Sequence, residues 1–232
     1  VGSEMCIRDS YTAAITQGAG IGRYTRELVS AILAQGAQHD YVLFFAAAEL
    51  APEFPGLRKL EQLRSQYPHI RTVAIPLAPR RLTQLWHRMR LPLPIELLTG
   101  RLDILHAPDF VPPPSFAPSI VTIHDLSYIV HPDYALPSVT RYLRGAVPRG
   151  LRRAAAVLAD SVATQHDLHT YLGVDPQRVT VVYPGVGPQF KPMPEDVVRE
   201  QLKHLNLPDK FLFFVSTLEP RKNLVRLFEA YA

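Results

Sequence analysis

Gly18-Ala19-Gly20-Ile21-Gly22-Arg23-Tyr24-Thr25-Arg26-Glu27-Leu28-Val29-Ser30-Ala31-Ile32-Leu33-Ala34-Gln35-Gly36, followed after a polar break by Tyr41-Val42-Leu43-Phe44-Phe45-Ala46, decides the fold class. Ile21, Tyr24, Leu28 and Ile32 recur every three or four residues, the period of an amphipathic helix from Gly20 to about Gln35, and Gly36 supplies a stop. The next apolar run is too short for a helix and apolar on both faces, as a buried strand of a parallel sheet must be. A glycine turn, a helix and a buried strand in succession predict an α/β fold with a doubly wound, Rossmann-like parallel sheet.

The same alternation continues outward from this unit. Short buried strands are expected at 41–46, 70–75, 102–106, 120–123, 157–159 and 179–183. Helices are expected at 57–66, 82–91, 138–153 with a kink at Pro148, and 164–172. Most prolines, Pro112-Pro113-Pro114 among them, fall between these elements and mark extended turns. Tyr183-Pro184-Gly185-Val186-Gly187-Pro188 opens a proline and glycine cluster that suggests a domain boundary. We therefore expect a first domain over 11–190, a linker with a connecting helix over 191–207, and the start of a second Rossmann-like domain over 208–232, truncated after one strand (211–215) and one helix. At the other end, Val1-Gly2-Ser3-Glu4-Met5-Cys6-Ile7-Arg8-Asp9-Ser10 is polar where a doubly wound domain opens on an apolar strand. Residues 1–10 are expected to be a non-native scar, unpaired with the sheet.

Composition narrows the partners. Hydrophobic residues are 47% and charged residues 20% of the 232, which is globular rather than disordered. The 25 Lys and Arg exceed the 21 Asp and Glu by too little, and too diffusely, to argue for nucleic acid. Cys6 is the only cysteine, so no internal disulfide framework exists, in keeping with a cytoplasmic location. No run is long and apolar enough to span a membrane.

Four segments can carry chemistry. Gly18, Gly20 and Gly22 let backbone approach a phosphate or sugar at a helix N-terminus, although a flexible turn is an equal reading. A nicotinamide fingerprint fails here: the spacing is G-x-G-x-G, and Asp40 precedes the next strand instead of ending it. The strand 120–123 delivers His124 and Asp125 to its C-terminal end, the edge where open parallel sheets bind ligands, against the plain reading of a structural histidine. Near the C-terminus, Glu219-Pro220-Arg221-Lys222-Asn223 joins an expected strand to an expected helix. Arg221 and Lys222 sit at the helix end that disfavours cations, which points either to an anion there or to a solvated helix start. Arg80, Arg81, His87, Arg88 and Arg90 interleave with Leu82, Leu85, Trp86 and Met89. This basic amphipathic segment reads first as a surface helix packing its apolar stripe, with peripheral contact to an anionic membrane as the other choice. His166 and His169 read as exposed helix residues rather than metal ligands.

In order along the chain, Gly20-Ile-Gly22-Arg-Tyr24 with Glu27-Leu28, Asp103-Ile-Leu-His-Ala-Pro108, Thr122-Ile-His124-Asp125-Leu126, Ala159-Asp160-Ser161, Val181-Val-Tyr-Pro184-Gly185-Val186 and Thr217-Leu-Glu-Pro-Arg221-Lys222-Asn223-Leu224 together resemble glycosyltransferase family four. These are retaining enzymes of GT-B fold that move a sugar from a nucleotide-diphosphate donor. The resemblance runs from about Tyr11 to Ala232 and is greatest to mannosyltransferases of surface-polysaccharide and lipopolysaccharide assembly. It implies that Arg221 and Lys222 hold the donor diphosphate, that Gly20 and Gly22 form a cleft loop, and that His124, followed by Asp125, contacts the reacting sugar. The implied partners are the nucleotide-sugar donor and a glycan or lipid-linked saccharide acceptor, with no nucleic acid and no cofactor.

The charge chemistry agrees: fixed cations and backbone N–H groups stabilise a departing phosphate without a metal, and no D-x-D pair occurs. The rival readings are another Rossmann-type nucleotide enzyme, an oxidoreductase or epimerase, and a two-lobed sugar-binding protein without catalysis. Because the family's downstream half is not in these residues, the chain alone is expected to be inactive and poorly soluble, with truncation near Pro194 improving its behaviour.

Overall fold

The computed structural model describes residues 5–36, 38–51, 53–89, 91–208 and 210–232. The chain divides into two compact units, Val1–Tyr183 and Pro184–Ala232. In the first unit the strands are β1 (Cys6–Ser10), β2 (Asp40–Ala46), β3 (Arg71–Ile75), β4 (Ile104–Ala107), β5 (Ser119–Ile123), β6 (Ala156–Ala159) and β7 (Val179–Val181). Its helices are α1 (Thr12–Thr16), α2 (Gly20–Gln35), α3 (Pro55–Gln66), α4 (Pro79–Thr83), α5 (Glu96–Thr99), α6 (Ser127–Val130), α7 (Pro137–Arg153) and α8 (Val162–Leu172). A π-turn over Gln84–Arg88 continues α4. All neighbouring strands run parallel in the order β3-β2-β1-β4-β5-β6-β7.

The alternation of side chains explains how one apolar run serves two faces. Tyr41, Leu43 and Phe45 of β2 pack with Val29 and Leu33 of α2 and Leu60 and Leu63 of α3. Phe44 and Ala46, one residue out of phase, join Leu82, Ile95 and Leu105 on the opposite face. Each fully buried leucine here contributes roughly 1.5–3 kcal/mol. A third cluster covers β5 and β6 with Val147 and Leu151 of α7 and Leu168 of α8. Helix α7 continues through Pro148. The segment expected as a helix over 82–91 is instead split between α4 and the π-turn, with Leu82 buried and Arg80, Arg81 and Arg88 exposed. Arg90 lies outside the described residues.

The expectation that the first ten residues stay unpaired is overturned. Residues 1–4 lie outside the described residues, but Cys6–Ser10 forms the central strand, pairing with β2 on one side and β4 on the other. Backbone hydrogen bonding is indifferent to side chains, so a polar segment can fill a strand slot that its neighbours demand. The polarity shows inside. Arg8 and Asp9 are each only 1% exposed. Asp9 pairs with His106 of β4. Arg8 donates to the Arg101 carbonyl at 2.7 Å and to the Thr99 carbonyl at 3.4 Å, yet its Nε and Nη1 find no acceptor. Burial pulls its pKa below the ordinary value. A buried cation so poorly compensated is worth less than an apolar chain of similar length. Arg8→Met is therefore expected to stabilise the unit by about 2 kcal/mol, raising Tm by roughly 4–8 °C in a calorimetric scan; an unchanged or lowered Tm would count against this account.

The second unit holds helices α9 (Glu195–Leu202) and α10 (Leu224–Tyr231), with 3-10 turns at Lys203–Leu205 and Pro220–Lys222. The expected strand at 211–215 does not form among the described residues. A strand needs a hydrogen-bonding neighbour, and among the described residues of this unit no other strand stands beside it.

Candidate active site

From β1 the chain builds outward through β2 and β3, then returns to lay β4 on the other side of β1. The C-terminal ends of β1 and β4 therefore flank the crevice where such sheets take ligands. Four connections end there: 11–19 after β1, Pro108-Asp109-Phe110 after β4, His124-Asp125 after β5 and Asp160-Ser161 after β6.

His124 is the hub. Its Nδ1 lies 2.7 Å from Asp160 Oδ2 and its Nε2 lies 2.9 Å from the Pro108 carbonyl. Both partners are acceptors, so the state that satisfies both ring nitrogens is the doubly protonated imidazolium. Burial by itself lowers the His124 pKa. The hydrogen bond and charge of Asp160, the Pro108 carbonyl and the charge of Asp109 outweigh it, leaving the pKa above the ordinary 6.5. The edges of Tyr24 and Phe110 close the ring's surroundings at centroid distances of 4.9 and 5.4 Å. Phe110 reaches this place only by adopting φ +47, a left-handed conformation costly for a bulky side chain.

A raised pKa in the folded state means that the His124 interactions contribute fully below pH 6.5 and are lost as pH rises through the folded value. The stability of Val1–Tyr183 should accordingly fall as pH rises above about 6.5, and His124→Gln should remove that part of the slope. Denaturant titrations of both forms across that range check this, and identical slopes would refute it.

Asp109, at the end of β4, faces the same crevice. Burial raises its carboxyl pKa, partly offset by the His124 charge and by Gln17 Nε2, which donates to Oδ2 at 3.3 Å. Asp109, Gln17, Thr12 and Phe110 line a cavity of about 270 Å³ bounded on its far side by Trp86, His87 and Tyr142.

The glycine loop joins this site through α2. Arg26 Nη1 donates to the carbonyls of Ala14 at 2.6 Å and Gln17 at 3.0 Å, holding the loop against its own helix. Gly22 is buried, and a Cβ there would fall 1.9 Å from the Gln17 carbonyl oxygen, so close packing requires glycine. Gly20 differs: nothing in the fold lies within 4 Å of the place of its Cβ. The N-cap residue Ala19 makes no side-chain capping hydrogen bond, and a helix N-terminus of this kind favours an anion.

Residues 18–190 of this chain match the family described as Glycosyltransferase Family 4. The chain belongs to glycosyltransferase family 4. The matched stretch contains Gly20, Gly22, Asp109, His124, Asp125 and Asp160 and stops short of Arg221 and Lys222. Among curated proteins, the O-antigen chain mannosyltransferase B of Escherichia coli is 24% identical over 217 residues, covering 91% of this chain and 56% of that protein. The chain thus spans about half the length of the curated relative it matches. Among solved structures, a glycosyltransferase from Rickettsia africae ESF-5 aligns with a TM-score of 0.48 and 14% identity, over 90% of this chain and 51% of the other. The fold assignment rests on the strand order and not on that likeness.

The remaining expected residues of this family 4 chain are placed as follows. Asp125 is exposed, and its Oδ1 accepts from Ser127 N at 2.9 Å, a turn that starts α6. Arg221 and Lys222 lie in the second unit, in the 3-10 turn before α10, where Arg221 Nε donates to Glu219 Oε2 at 2.5 Å. His166 and His169 bond locally, to Thr170 and to the Val174 carbonyl. Sequence reasoning missed Asp109 and Gln17 and gave Asp160 no role. A workable signal existed: Asp109, His124 and Asp160 all stand within two residues of the C-terminal end of a strand.

Proposed function

We propose that this chain carries the acceptor side and the first donor-side elements of a retaining GT-B glycosyltransferase, which moves a sugar, mannose being the leading candidate, from a nucleotide diphosphate to a glycan or lipid-linked saccharide. The observation that carries the reading is the His124–Asp160 pair at the C-terminal ends of β5 and β6, bonded through His124 to Pro108 after β4 and lying inside the matched stretch. In this reading Gly20 and Gly22 form the cleft loop, and Asp125 stands at the rim of the substrate cleft. His124 meets the reacting sugar as an imidazolium, the form that its two acceptors favour. Arg221 and Lys222 hold the diphosphate and stabilise its departure, which is the chemistry a metal supplies in other transferases. No cofactor is required.

Among the described residues no helix is long and apolar enough to cross a membrane. We place the protein in the cytoplasm, with Arg80, Arg81 and Arg88 giving it a peripheral contact with anionic lipid. The test is to incubate the full protein with labelled nucleotide-diphosphate sugars, mannose donors among them, and saccharide acceptors in the presence of a chelator. Transfer with retention at the anomeric carbon is expected. Binding of a nicotinamide cofactor with no transfer from any donor would favour the oxidoreductase reading instead.

A further inference from the structure

Backbone strain sets Asp109 in place. The Val111 N–H donates to the Asp109 carbonyl at 2.5 Å and the Phe110 N–H to the Thr122 carbonyl at 3.0 Å, closing a three-residue turn around Phe110 at φ +47. A left-handed turn is costly for a bulky residue, and such strain persists where the surroundings impose it, most often beside a working group. Gln17 Nε2 donates to Asp109 Oδ2 at 3.3 Å, while Oδ1 has no hydrogen-bond partner among the described residues. One oxygen is anchored and the other is left to accept.

The cavity in front of it is polar without being cationic. Thr12, Thr16, Gln17 and Thr83 bring hydroxyl and amide groups to its lining, and Trp86 adds an aromatic ring fixed by its Nε1, which donates to the Leu93 carbonyl at 3.0 Å. Asp109 is the one carboxylate in the described lining, and neither Lys nor Arg stands there. The other two titratable lining groups are neutral. Burial, with Arg149 and Arg153, holds the His87 pKa down to about 4, and burial, with the Asp109 charge, holds the Tyr142 pKa well above its ordinary value. Arg149 is not part of this lining and donates to the His87 carbonyl at 3.4 Å. His124 acts on Asp109 through its charge but is shared with Asp160 and the Pro108 carbonyl.

A sugar ring presents hydroxyl donors around an apolar face, which suits a carboxylate beside an aromatic ring. An anion brought here would stand against a buried carboxylate with no lining cation to offset it, and like charges in a low dielectric repel strongly. We propose that Asp109 is a specificity-determining residue, which accepts hydrogen bonds from the hydroxyls of an uncharged sugar at the acceptor end and shuts out a sugar bearing a carboxylate or phosphate. This rests on the reading of the protein as a sugar transferase and adds which acceptors it takes. Selection of this kind works by repelling the wrong ligand as much as by holding the right one. It also leaves a pH signature. An anionic sugar pushes the Asp109 pKa, already raised by burial, higher still and so enters with a proton taken up, whereas hydroxyl donors favour the ionised carboxylate. Binding of a uronate should therefore strengthen as pH falls, and binding of its neutral counterpart should not.

The test titrates the full protein, without donor, with methyl glycosides of neutral hexose disaccharides, each paired with the same glycoside oxidised at its terminal primary alcohol to the uronate. At about pH 7.5 the neutral member is expected to bind about tenfold or more tightly than the uronate. Lowering the pH to about 5, where the uronate itself stays ionised, should narrow that ratio. Asp109→Asn keeps the side chain's shape and should abolish both the preference and its pH dependence, chiefly by admitting the uronate, a gain of binding that loss of fold could not produce. Equal affinities in the wild-type protein, a preference that persists in Asp109→Asn, or failure of every neutral glycoside to bind would each overturn the proposal. Because binding is measured without turnover, a protein that discriminates by charge but transfers no sugar would refute the transferase reading and leave the selection standing. Transfer to neutral and uronate acceptors with equal KM would keep that reading and sink this one.

Discussion

Replacing both Arg221 and Lys222 by alanine is expected to lower sugar transfer by the full protein by about two or more orders of magnitude, with KM for the nucleotide sugar changing less than kcat. Charge on the diphosphate grows as the glycosidic bond breaks, so a fixed cation is worth more in the transition state than in the ground state. The structure adds a reason to expect an incomplete effect from Arg221→Ala alone. Arg221 is paired with Glu219, whose own pKa is lowered by hydrogen bonds from Thr217 and Arg221, so part of its charge is neutralised within the turn. Lys222 also acts on Glu219 through its charge, but more weakly, and forms no salt bridge with it among the described residues. Steady-state kinetics on the two single variants and the double variant check the ordering, with Lys222→Ala costing more than Arg221→Ala. Near-normal turnover in the double variant would remove both from the site.

Ending the chain at Tyr183 is expected to raise soluble, monomeric yield several-fold over the 232-residue chain. The described residues of Val1–Tyr183 hold a seven-stranded sheet with three buried clusters. Pro184–Ala232 instead exposes Phe211, Phe214 and Val215, with Phe213 at 81%, and the α10 residues Val225, Phe228 and Tyr231 are exposed as well. An apolar segment with unpaired backbone is a template for association between chains. Expression of both forms, with soluble yield and light-scattering mass as readouts, decides it. A monomeric 232-residue chain of equal yield would show that these groups are harmless, and sugar transfer by that chain would refute its expected inactivity.

Local signals determined most of what was legible. The 3.6-residue period ending at Gly36 placed α2 at Gly20–Gln35, and the doubly apolar run after it placed β2, because both patterns report which faces must leave water. The strand before His124 and the α/β class were legible for the same reason. Short helices such as α1, α5 and α6 were not, since four or five residues carry no readable period. The reading of 211–215 as a strand failed in the opposite direction: propensity was present and a partner was absent.

Three things belonged to the tertiary structure alone. The slot between β2 and β4 drew in Cys6–Ser10 against its polarity, because a gap in a ladder leaves two rows of backbone groups unpaired. The arrangement of Asp109, His124 and Asp160 depends on neighbouring strands ending together, and no single segment encodes strand order. The raised pKa of His124 depends on acceptors brought from other connections, Asp160 and Pro108, so a residue legible as a candidate acquired its preference for the charged form only when the sheet closed around it.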